Sequence, residues 1–126
     1  MRVKNEYILD DSGPVSLANT VALKPVWLGH IAIASVQLEF TGTPAGNFRL
    51  QVSNDVGQIT AAGAAQQETG VETWTDYTSP VTVSAAGNLY IEAKDIGAEW
   101  MRVLYTATGP GTSPVLVKAR AKVKGF

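Results

Sequence analysis

The chain has 126 residues, no cysteine, ten Lys and Arg against eleven Asp and Glu, and a formal net charge of −1. That length corresponds to one domain with its own core, the missing thiols exclude disulfides and thiolate metal sites, and the near-neutral charge argues against a general nucleic-acid binder, which needs a basic surface. The longest apolar run, Ile31 to Val36, is too short to cross a bilayer.

The N-terminus, MRVKNEYILDDSG, has charges but no apolar h-region, so synthesis in the cytosol is expected rather than secretion. Residues 1–12 read as an N-terminal arm or an edge strand, with Arg2, Lys4 and Glu6 outward. Asp10-Asp11-Ser12-Gly13-Pro14 favours a turn. Val15 to Leu28 reads as two short strands, because Asn19-Thr20 and Lys24-Pro25 interrupt the apolar positions.

Ile31 to Phe40 is the clearest inner strand, with Val36, Leu38 and Phe40 alternating with Gln37 and Glu39. Thr41 to Gly46 is rich in breakers, and Phe48, Leu50 and Val52 then alternate with Arg49, Gln51 and Ser53, which predicts a hairpin. Residues 55–70 turn to Ala, Gly and Gln and read as a long surface loop. In Val71 to Tyr77 the residues Glu72, Trp74 and Asp76 share a face that reads as outward. Short strands at Val81 to Val83 and Leu89 to Ala93 follow.

From Glu99 a second hairpin is predicted. Met101, Val103 and Tyr105 oppose Trp100, Arg102 and Leu104, and a Gly/Thr/Pro loop leads to the final strand. There Val115, Val117, Ala119, Ala121 and Val123 alternate with Leu116, Lys118, Arg120, Lys122 and Lys124, an apolar row against a mostly cationic one. The cationic row either meets an acidic partner or keeps an edge strand soluble. The two predicted hairpins echo each other, Phe40-Thr-Gly-Thr-Pro against Tyr105-Thr-Ala-Thr-Gly-Pro, although hairpins share this grammar without being repeats. About eight or nine strands with no amphipathic helix predict an all-β, antiparallel β-sandwich of jelly-roll type, a closed barrel being the runner-up.

Chemistry-bearing motifs are scarce. His30 is the only histidine and reads as structural, and no nucleophile-elbow, P-loop or paired-histidine zinc pattern is present. Glu92, Asp95 and Glu99 form the only candidate carboxylate cluster for hydrolysis. Asx-stabilised turns account for Asp10 to Gly13 and Asp95 to Gly97 better than calcium does. The reading is therefore of a protein that is not an enzyme and uses no cofactor or metal. Trp27, Trp74, Trp100, Tyr77 and Tyr90 could form a sugar-stacking platform, but most tryptophan area is expected in the core, with Trp74 the outward exception.

In the last eighty residues, GNFRLQVSND (Gly46 to Asp55), WTDY (Trp74 to Tyr77), AGNLYIEAKDIGAEWMRVLYT (Ala86 to Thr106) and GTSPVLVKARAKVKGF occur in an order that resembles small β-sandwich structural proteins of tailed bacteriophages. These are capsid decoration, or cement, proteins and related head or tail accessories. In such proteins a short turn often joins Ser-Asn-Asp to Trp-x-Asp, whereas Val56 to Thr73 intervenes here, a candidate for a subunit-specific contact. The resemblance implies a virion protein made in the host cytoplasm, bound to the surface of the major-capsid shell, and a homo-oligomer, a trimer being favoured. The residues expected to touch partners are Arg2, Lys4, Trp74, Lys118, Arg120, Lys122 and Lys124. The alternative is a tail-associated module that binds a receptor or glycan. Neither nucleic acid nor membrane is an expected partner.

Overall fold

The computed structural model describes residues 2–7, 14–28, 32–55 and 73–125. His30 and nearly all of the 55–70 segment lie outside them, as do the side chains of the first strand. Every described element is a strand, and every pairing is antiparallel. The elements are β1 (Arg2–Tyr7), β2 (Val15–Ser16), β3 (Val21–Ala22), β4 (Val26–Trp27), β5 (Ala32–Thr43), β6 (Gly46–Asp55), β7 (Thr73–Asp76), β8 (Val81–Val83), β9 (Gly87–Ile96), β10 (Trp100–Ala107) and β11 (Thr112–Gly125).

Two sheets face each other. The first runs β1-β11-β5-β9 with β2 also on β11; the second runs β3-β10-β6-β7 with β4 also on β10 and β8 also on β6. Because β1 and β2 lie along one edge of β11, β3 and β4 along one edge of β10, and β7 and β8 along one edge of β6, the eleven segments behave as eight interrupted strands. Their order is that of a jelly roll, two four-stranded sheets wound as Greek keys. No strand pairing among the described residues joins one sheet to the other, so the fold is a sandwich and not a closed barrel.

Neither predicted hairpin exists. β5 pairs with β11 and β9, and β6 pairs with β10, β7 and β8, so the chain crosses from one sheet to the other at Pro44 and Ala45. β10 and β11 likewise lie in different sheets, joined by a crossing at residues 108–111. The two crossings lie against each other. The Thr108 and Gly109 amides both donate to the Ala45 carbonyl, at 2.9 and 3.2 Å, and the Thr108 hydroxyl donates to the same oxygen at 3.1 Å. The echo between the two stretches thus has a structural meaning: β5-corner-β6 is the antiparallel partner of β10-corner-β11. Gly42 explains why its position excludes a side chain, because at φ 74° a Cβ would run into the backbone of Ser113 in the facing corner.

The core lies between the sheets. From β5 it takes Ala32, Ala34, Val36, Leu38 and Phe40, from β6 Phe48 and Leu50, and from β10 Met101, Val103 and Tyr105, following the alternation read in the sequence. Phe48 stacks on Phe40 at 5.7 Å and meets the Tyr105 ring at 4.8 Å. Burying a side chain such as Phe48 contributes about 1.5–3 kcal/mol before ring geometry is counted. Burial also pushes the Tyr105 phenol pKa up.

The single apolar row predicted for β11 is broken by a bulge. Leu116 faces Phe40 while Lys118 faces Glu39, so one extra residue is inserted on β11. Before the bulge Pro114 and Leu116 are buried; after it the buried set is Ala119, Ala121 and Val123, and Val115 and Val117 are only half-buried. A slip of one residue exchanges the faces of a strand. Leu116 therefore belongs to the core and not to the cationic row.

Candidate functional site

The sequence grouped Trp74 with the basic residues of the last strand, but the fold places them on opposite sides of the sandwich. Trp74 lies on the outer face of the second sheet, and Lys118, Arg120, Lys122 and Lys124 on the outer face of the first. Arg2 and Lys4 stand in β1 opposite Gly125 and Val123, alternating out of phase with those lysines. The last strand is not an edge either. It runs between β1 and β5, so its charges protect no exposed edge ladder and lie instead on a solvated face of the sheet.

The outer face of the second sheet is built by side chains that hold one another. The Arg49 guanidinium donates to Asp76 Oδ2 at 2.7 Å and to Asn47 Oδ1 at 2.9 Å, the Gln51 amide donates to Asp76 Oδ1 at 2.9 Å, and Arg102 Nε donates to Gln51 Oε1 at 2.9 Å. Arg102 in turn lies 4.4 Å over the ring of Trp74. The chain of contacts crosses β6, β7 and β10, and its centre, Gln51, is buried although polar. The hydrogen bond from Gln51, and then that from Arg49, holds the Asp76 carboxyl below its ordinary value of 3.8.

Trp27 and Trp100 depart from expectation, whereas Trp74 faces outward as expected. None is in the core: Trp27 is 47% exposed, and Trp74 and Trp100 are half-buried. In register Trp100 stands directly opposite Trp27 on β4 and opposite Ser53 on β6. The two indoles therefore share the face that carries Arg102, which itself lies over Trp74. The signal available in the sequence was the alternation Trp100, Arg102, Leu104 against an apolar row; what hid its meaning was the expectation that tryptophan packs inside. Tyr77 adds a further exposed ring and donates to the Lys94 carbonyl at 2.6 Å, tying the end of β7 to β9 of the other sheet.

The outer face of the first sheet is different in kind. Lys118 stands 3.8 Å from Glu39, both largely exposed, and Arg120 is also engaged by a neighbour. Lys122 and Lys124 line a cleft of about 190 Å³ together with Ile33, Ser35, Tyr90 and Glu92, a site that sequence reasoning did not assemble because its parts come from β5, β9 and β11. The candidate hydrolytic cluster does not read as one. Glu92 accepts a hydrogen bond from Tyr90 at 3.0 Å and stands 3.8 Å from Lys94, while Asp95 and Glu99 are exposed. Among the described residues no group of three or more His, Asp or Glu side chains could hold a metal ion, and no helix is long and apolar enough to cross a membrane.

No family model and no curated protein matches this chain. Solved structures do. A chitosan-binding module of a chitosanase/glucanase from Paenibacillus sp. IK-5 superposes with a TM-score of 0.52 at 19% identity, over 98% of this chain and 94% of that one. Infectious bursal disease virus, Gx strain, contains a similar structure, with a TM-score of 0.51 at 10% identity, over 97% of this chain and 31% of that one. Tripeptidyl peptidase 2 contains another, with a TM-score of 0.54 at 11% identity, over 99% of this chain and 10% of that one. At these identities the likeness is one of fold, a β-sandwich shared by binding modules and by segments of larger proteins.

Proposed function

We propose that this chain is a non-catalytic virion module, a capsid decoration protein that docks on an assembled major-capsid shell and stabilises it. The observation that carries the reading is the outer face of the second sheet, where Trp27, Trp100, Trp74 and Arg102 lie on one rigid surface outside the core. Tryptophan, tyrosine and arginine are the residues on which protein docking energy concentrates. Arg102 is already held by Gln51 and Trp74, so little side-chain freedom is lost on binding. The order of the segments from Gly46 to the C-terminus, which resembles phage decoration proteins, supports the choice of partner. On a symmetric shell many such contacts act together, and a trimeric arrangement multiplies them further.

Mixing the purified chain with undecorated capsids is expected to give saturable, stoichiometric binding and a raised melting temperature of the shell. No binding at any salt concentration would end the proposal.

One observation favours a second reading, a glycan-binding module. On the same face Trp27 exposes ring area on which sugar rings can stack, and a chitosan-binding module shares the fold. A glycan array probed with the wild type and with Trp27→Ala distinguishes the two. Signals that vanish in the variant support this reading, and a blank array removes it.

A further inference from the structure

The cleft on the first sheet has a chemistry of its own. Its floor is Ser35 on β5, which stands opposite Glu92 on β9 and opposite Lys122 on β11. One wall is cationic. Lys122 and Lys124 are two residues apart on one face of a strand, about 7 Å along it, and among the described residues neither has an ion-pair partner. The other wall is an acceptor with a ring. The Tyr90 hydroxyl donates to Glu92 Oε2, two residues further along the same face, at 3.0 Å. That bond lays the phenol along the strand, and the residue is 55% exposed.

The volume limits what fits. The cleft measures about 190 Å³, whereas drug-sized sites begin at about 300 Å³. One six-membered sugar ring is the scale of ligand that this space takes. The walls then select its substituents. The two lysines ask for a carboxylate at one end, Glu92 accepts hydroxyl protons at the other, and the Tyr90 ring offers a face for sugar C–H groups.

We propose that the cleft lined by Ser35, Tyr90, Glu92, Lys122 and Lys124 binds a uronic-acid residue of an acidic polysaccharide, its carboxylate on the two lysines and its ring over Tyr90. The site lies on the face opposite the tryptophans, so it does not depend on how that face is used. A module docked through the second sheet would leave this cleft turned toward the surroundings.

The test is a titration of the full chain with oligogalacturonate, followed by backbone amide NMR shifts. Shifts confined to Ser35, Tyr90, Glu92, Lys122 and Lys124 are expected, with none from a neutral galacto-oligosaccharide of equal length. Affinity should fall as salt rises from about 50 to about 500 mM, because the lysines are exposed. Lys122→Gln with Lys124→Gln, and separately Tyr90→Ala, should weaken binding at least about tenfold, whereas Lys122→Arg with Lys124→Arg retains it and Trp27→Ala leaves it unchanged. All substituted positions are on the surface, and a backbone amide spectrum unchanged away from the substituted site establishes the fold of each variant. Absent shifts, an unaffected double glutamine variant, or equal shifts with polyglutamate would each overturn the proposal, the last by showing that charge alone is read. None of these results bears on whether the chain binds capsids.

Discussion

The two outer faces of this sandwich come from the same kind of strand and have opposite characters. On the second sheet Arg49, Gln51, Asp76 and Arg102 are linked by hydrogen bonds, and Arg102 lies over the ring of Trp74; on the first, Lys122 and Lys124 stand over a cleft with no counter-ion among the described residues. The first kind of surface is organised before it meets a partner, so binding there costs little ordering entropy. Long, unheld lysines act instead through charge, at longer range and subject to salt. The difference teaches that alternation supplies outward residues, while strand pairing decides whether they become a locked surface or a receptive one.

The largest effect would come from removing what both faces stand on. Phe48→Ala deletes a fully buried ring that meets both Phe40 and Tyr105, and a loss of about 3–5 kcal/mol is expected from urea unfolding. Both binding activities should then decline together, and a variant that kept normal stability would refute this account of the core.

Separating the faces comes next. Trp27→Ala combined with Trp100→Ala is expected to weaken capsid binding by about 30-fold or more, the scale of a single interface hot spot, in a co-sedimentation assay. The amide shifts at Tyr90 and Lys122 produced by oligogalacturonate should be unchanged. Equal loss on both sides of the sandwich would break the comparison.

A smaller effect sharpens the view of the locked face. Arg102→Met removes the cation over Trp74 and the hydrogen bond to Gln51, and about 1 kcal/mol of stability should be lost, together with a shift in tryptophan emission. Unchanged emission would mean that the stack does not persist in solution.

The smallest effect is a pH dependence. The folded Asp76 carboxyl has its pKa below the ordinary 3.8, so the unfolded chain binds the proton more readily. Its contribution to stability is therefore complete above the unfolded value and is lost as pH falls through the folded one. Asp76→Asn should flatten the acid limb of the melting-temperature profile below about pH 4 while changing little at neutrality, the side chain being partly exposed and screened. An acid limb identical to that of the wild type would remove Asp76 from the network.

Much of this molecule follows from the chain alone. The alternation of Val36, Leu38 and Phe40 with Gln37 and Glu39, and of Met101, Val103 and Tyr105 with Trp100, Arg102 and Leu104, sets which side chains enter the core, because a strand has a period of two wherever it lies. Gly, Pro, Asn and Ser mark where strands stop, and together these give an all-β sandwich. Pairing was not legible. A breaker-rich segment such as Thr41 to Gly46 can fold a strand back beside itself or carry it to the opposite sheet, and only contact with the facing corner at residues 108–111 selects the crossing. The bulge after Leu116 was hidden for the same reason, since an inserted residue is defined only against a partner strand. Both candidate sites depend on that tertiary choice: the indoles of β4 and β10 stand opposite each other, and Glu92 faces Lys122 across Ser35, only once the strands have found their neighbours.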